Sequence, residues 1–207
     1  VFNGPDLELT DSDSLPPLLD HGMLDEILAQ AHCFFDSPDL YERLGIRYRR
    51  GFLFVGPAGC GKSMVIRHIL WQVYWRHAPK IMSLQIASNV DDDDLARFFR
   101  RAAAHAPTVA VLEDVDGIAA AHVNRSAFLN MLDGLSAAKG VLLLATTNYP
   151  EKLDAAILHR PSRFDRVWRL DAPEAELRQA YLAQAFPELD GHALAHLVTG
   201  TSGWSFA

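Results

Sequence analysis

The residues best placed to do chemistry are Gly56-Pro57-Ala58-Gly59-Cys60-Gly61-Lys62-Ser63, which fit the pattern G-x-x-x-x-G-K-[ST]. The spacing has a physical reason. Glycines let successive backbone N–H groups turn inward and cradle phosphate oxygens. A helix starting at the lysine adds the positive end of its dipole. Lys62 can then reach the β- and γ-phosphates of a nucleotide, and the Ser63 hydroxyl can bind Mg²⁺. Cys60 is read as a small loop residue. A second cluster, Glu113-Asp114-Val115-Asp116, follows the apolar run Val109-Ala110-Val111-Leu112. Beside a phosphate loop, one acid would help hold Mg²⁺ and the other would polarise the attacking water. In simple register Glu113 takes the metal side and Asp114 the base position. For Asp116, capping or hydrogen bonding stands level with a chemical role. The amide of Asn148, after Thr146-Thr147, could hold the water or sense the γ-phosphate. Arg160 and Arg163, three residues apart around Pro161, are poor core material and suit bidentate contact with phosphate.

These groups need elements to position them. A helix is expected over about 24–35, then a break at Ser37-Pro38 and a short helix through Leu40 and Leu44. Short apolar strands are expected at 51–55, 80–87, 108–112, 140–145 and 167–170. Helices separate them at 63–76, around Leu95, Phe98 and Phe99, and at 125–135. Continuous apolar strands alternating with helices predict an α/β fold, a parallel sheet buried on both faces. After Pro173 only helices are expected, at 174–186 and 191–198. The expected divisions are an extended or partly ordered lead-in over 1–20, a large domain over 21–171 and a helical appendage over 172–207. The run Asp91-Asp92-Asp93-Asp94 reads first as capping, because acids suit a helix N-terminus.

Composition narrows the classes. The 207 residues are 49% hydrophobic and 22% charged, which is ordinary for a soluble globular chain. A net charge of −7 gives no electrostatic footprint for nucleic acid. Cys33 and Cys60 form no metal or disulfide pattern, so a reducing, cytoplasmic setting fits best. No apolar run is long enough to span a bilayer. Both ends read as those of a fragment.

Together the motifs resemble the AAA family of AAA+ ATPases over residues 36–207, most specifically at 56–63, 145–148 and 160–166. The resemblance implies the P-loop NTPase fold of that family, a five-stranded parallel sheet between helices followed by a small lid, here incomplete at its C-terminus. It implies ATP and Mg²⁺, and rings of six or seven subunits with nucleotide between neighbours. Asn148 resembles sensor 1, and Arg160 and Arg163 resemble arginine fingers that act on the adjacent subunit. Gly203, Phe206 and Ala207 resemble a lid segment near the adenine. A narrower likeness lies in Gly45-Ile46-Arg47-Tyr48-Arg49-Arg50-Gly51 and Leu112-Glu113-Asp114-Val115-Asp116. Both strings are similar to bacterial relatives of the mitochondrial AAA translocase that inserts the Rieske iron–sulfur protein, and the Glu-Asp order belongs to that likeness. One departure stands out. Where many family members carry an aromatic pore-loop residue, residues 87–94 have none and are acidic, which reads first as a solvated face and second as an acidic pore that could attract a basic client.

The expected function is ATP hydrolysis by a ring that remodels or moves a protein client. Two rivals remain: an ATP-dependent switch or scaffold with slow turnover, hinted at by Glu113-Asp114 standing in place of the usual Asp-Glu order, and a DNA-remodelling ATPase, against which the negative charge speaks.

Overall fold

The computed structural model describes residues 9–17, 19, 21–135, 139–153, 157 and 163–205. Five strands form one sheet: β1 (Arg49–Val55), β2 (Lys80–Gln85), β3 (Thr108–Glu113), β4 (Val141–Thr147) and β5 (Arg166–Arg169). Their order is β2-β3-β4-β1-β5, and each neighbouring pair is parallel. The helices are α1 (His21–Asp36), α2 (Pro38–Arg43), α3 (Lys62–His77), α4 (Asp92–Ala104), α5 (Arg125–Gly134), α6 (Ala175–Ala185) and α7 (Gly191–Gly200).

The apolar strands feed both faces, since side chains alternate along a strand. Phe52, Phe54, Val109, Val111, Leu142 and Leu144 turn to one core with Ile27 and Phe34 of α1 and Val65, Ile69 and Leu70 of α3. Leu53, Val55, Ala110, Leu112, Leu143 and Ala145 turn to the other, with Leu95 and Phe99 of α4 and Phe128 and Leu132 of α5. This is why the strands read as continuous runs rather than alternating ones. The acidic run is a cap. Asp91 accepts from the Asp94 N–H at 2.8 Å, and Asp94 accepts from the Asp91 N–H at 3.2 Å. Asp92 accepts from the Asn124 N–H at 2.9 Å, tying the starts of α4 and α5 together.

The lead-in is not loose where it is described. A short 3-10 turn (Asp11–Ser14) lies on α3. There Arg67 donates through Nε to Asp13 at 2.6 Å and through Nη2 at 3.0 Å, and His68 Nδ1 donates to the Asp13 carbonyl at 3.1 Å. Among the described residues, no helix is long and apolar enough to cross a membrane. Because all strands are parallel, the segments leaving β1, β3 and β4 emerge at one edge, the usual place for a ligand in such sheets.

Candidate nucleotide site

The loop after β1 occupies that edge. Gly56 has φ 150°, and a Cβ there would lie 1.8 Å from the Leu170 carbonyl oxygen, so only glycine fits against the end of β5. Gly61 is left-handed (φ 85°) and hands the chain directly to α3 at Lys62. Pro57, Ala58, Gly59 and Cys60 lie between them. Burial pushes the Cys60 thiol up, which suppresses the reactive thiolate and agrees with its reading as a loop residue.

Lys62 is only 6% exposed. Its ammonium donates to the carbonyls of Gly56 and Pro57, each at 2.7 Å. Burial lowers its pKa, and the nearby carboxylates of Asp114 and Asp116 oppose that shift. Ser63 is exposed on the first turn of α3, next to the loop.

β3 ends on Glu113, and Asp114 is the first residue beyond it. Burial raises the Glu113 pKa, Asp114 raises it further, and Arg67 of α3 opposes both. Asp114 adopts φ 57° and ψ 51°. Asp and Asn tolerate this left-handed conformation better than most side chains, which gives the Glu-Asp order a backbone reason. The Asp114 N–H donates to Thr146 Oγ1 at 3.0 Å. Its carboxylate accepts from Asn148 Nδ2 on one oxygen and from Gln85 Nε2 on the other, each at 3.1 Å. Gln85 was not singled out from sequence. The available signal was its place at the polar end of a strand whose neighbour ends in acids; β2 and β3 pair Gln85 with Glu113.

The structure thus brings together the phosphate loop, Glu113, Asp114 and Asn148. It places Arg163 elsewhere. Arg163 is 3% exposed and pairs with Asp133 of α5, Nε to Oδ1 at 3.2 Å and Nη2 to Oδ2 at 2.9 Å. Arg49 donates to the Arg163 carbonyl and, at 3.3 Å, to that of Leu132. Poor core material on its own, Arg163 is buried because an acid meets it. Gly203 lies in the turn after α7 with φ 79°, and a Cβ there would meet no atom within 4 Å. Arg160, Phe206 and Ala207 lie outside the described residues.

The donor set fits a magnesium–nucleotide. Loop N–H groups, a buried ammonium and a helix N-terminus suit phosphate, and a hydroxyl with a carboxylate suits a hard cation. Among the described residues no group of three or more His, Cys, Asp or Glu could hold a metal alone. The phosphates would supply the remaining oxygen ligands, as Mg²⁺ sites commonly require.

The family model described as "ATPase family associated with various cellular activities (AAA)" matches residues 52–172. The ATP-dependent zinc metalloprotease FtsH of Acidothermus cellulolyticus is 32% identical over 201 residues, covering 87% of this chain and 30% of that protein. The Cell division cycle protein 48 homolog of Archaeoglobus fulgidus is 31% identical over 185 residues, covering 80% of this chain and 25% of that protein. The chain therefore spans less than a third of the length of these curated relatives.

Proposed function

The chain belongs to the AAA family of ATPases, and from that premise we propose that it is an ATP-hydrolysing module that assembles into a ring and uses hydrolysis to remodel or move a protein client. The observation that carries the reading is the Asp114 carboxylate, held by two neutral amides beside the phosphate loop. Neutral donors orient an acid without neutralising it.

In this reading residues 56–63 wrap the phosphates, with Lys62 on the β- and γ-phosphates. Ser63 and Glu113 stand on the Mg²⁺ side. The ion, when bound, supplies charge compensation for the phosphates. Asp114 polarises the attacking water, and Asn148 holds it in line. Arg160 and Arg163 act across the interface on a neighbour's nucleotide in a ring of six or seven. Residues 172–207 form the lid, with Gly203, Phe206 and Ala207 near the adenine, residues 21–171 the ATPase domain and 1–20 its lead-in. The strings at 45–51 and 112–116 support a likeness to bacterial proteins similar to the Rieske-protein translocase, and the reading sets the chain in the cytoplasm.

A switch or scaffold with slow turnover is favoured by one observation: Arg163 is buried against Asp133 and must leave that partner to serve a neighbour. Steady-state turnover of the full-length protein separates the readings. Hydrolysis is expected, and Lys62→Ala should abolish it by taking the ammonium off the β- and γ-phosphates. ATP-driven assembly with turnover no higher than that of Lys62→Ala would sink the motor.

A further inference from the structure

Asp116 has no part in that scheme, yet it is built into the same edge. It lies in the 3-10 turn Val115–Ala119 that follows β3. A single oxygen, Oδ1, accepts from the Thr147 hydroxyl at 2.7 Å and from the Asn148 backbone N–H at 3.1 Å. The same hydroxyl accepts from the Tyr149 N–H at 3.1 Å. These three bonds fix the turn by which the chain leaves β4. From that turn the Asn148 side chain reaches Asp114.

We propose that Asp116 is a positioning residue for ATP hydrolysis, setting the Asn148 amide against Asp114, and that it does so as a hydrogen-bond acceptor rather than as a charge. The inference rests on the hydrolysis reading above. Asn has the shape of Asp and keeps one acceptor oxygen, so it can receive both bonds from the end of β4. Ala can receive neither. The turn would then relax, and small displacements of a group that orients a reactant cost rate out of proportion to their size. The charge of Asp116 also reaches Lys62, so nucleotide affinity is the quantity that would expose an electrostatic role.

The test uses the full-length protein with Asp116→Ala and Asp116→Asn. It reads kcat, KM for ATP, Kd for a fluorescent ADP analogue, and hydrogen exchange over residues 146–149. Asp116→Ala should lower kcat by about 10–100-fold with Kd unchanged, and Asp116→Asn should hold kcat within about threefold. In an Asn148→Ala background Asp116→Ala should add nothing, because the effect passes through Asn148. Exchange protection should fall in Asp116→Ala and persist in Asp116→Asn. Equal loss of kcat in the Asn and Ala variants, weakened Kd in Asp116→Asn, or additive losses with Asn148→Ala would each overturn the proposal. Wild-type turnover equal to that of Lys62→Ala would instead defeat the hydrolysis reading. The packing claim is then decided by exchange alone, and unchanged protection in Asp116→Ala would end it.

Discussion

Two corners of this molecule handle charge in opposite ways. At the phosphate corner, Glu113 and Asp114 remain partly exposed, and the Asp114 carboxylate is held by the neutral amides of Gln85 and Asn148. At the arginine corner, charges answer one another. Arg163 is spent on Asp133, and Arg49 lies 3.7 Å from Asp165, which also accepts from the Gly51 N–H at 2.7 Å. An acid held by amides keeps its charge for use elsewhere. An arginine in such a pair does not, because Arg163 must give up its own buried place and leave the half-covered Asp133 carboxylate without its partner. The first corner is preorganised, whereas the second has to change partners before it can act outside its own chain.

The largest test of this contrast is Asp114→Asn. The substitution keeps the side-chain shape and suits the left-handed backbone, but removes the charge. Turnover should fall by roughly 10²–10⁴-fold while nucleotide binding persists. Hydrolysis that survives Asp114→Asn and is lost in Glu113→Gln would exchange the two acids' roles. Next is Asp133→Ala, which leaves Arg163 buried without its carboxylate. Breaking a fully buried pair costs about 3–5 kcal/mol. The Asp133 side chain is 31% exposed, so about 2 kcal/mol is expected, read from the urea midpoint; no shift would mean that packing, not pairing, holds this corner. The smallest effect is behind the phosphate corner, where Asp13→Asn should cost about 1 kcal/mol by weakening the brace on α3. The Arg67 guanidinium holds the Asp13 carboxyl down at about 2, against an ordinary 3.8. A depressed carboxylate stabilises the fold fully above its unfolded pKa and loses that contribution as pH falls through the folded one. The difference between wild type and Asp13→Asn should therefore shrink from pH 3.8 toward about 2. A difference constant over that window would remove the ion pair as its source.

Much of the fold was legible because the signal is local. Runs such as Phe52-Leu53-Phe54-Val55 announce a strand buried on both faces, and the loop pattern announces phosphate. What escaped depends on register or on distant partners. Gln85 meets Asp114 only because β2 and β3 align Gln85 with Glu113, and no spacing within either segment reveals that. Asp13 sits in a polar stretch that composition reads as loosely ordered, yet its partner Arg67 lies on α3, 54 residues on. Arg163 reads as an exposed cation until Asp133 is placed beside it. The Glu-Asp order is plain in the sequence, but the left-handed backbone that Asp114 adopts is not.

The lysine of the phosphate loop already has oxygen ligands of its own, the carbonyls of Gly56 and Pro57. Capture of a nucleotide at this ammonium is therefore an exchange reaction: phosphoryl oxygens displace peptide oxygens from a cation that is never bare. The contact contributes only the difference between two sets of ligands, and the released carbonyls must find other donors. Much of the binding enthalpy must then come from the loop N–H groups. Because the carbonyls already hold the ammonium in place before the exchange, fixing the long lysine side chain adds little entropic cost at the moment of capture.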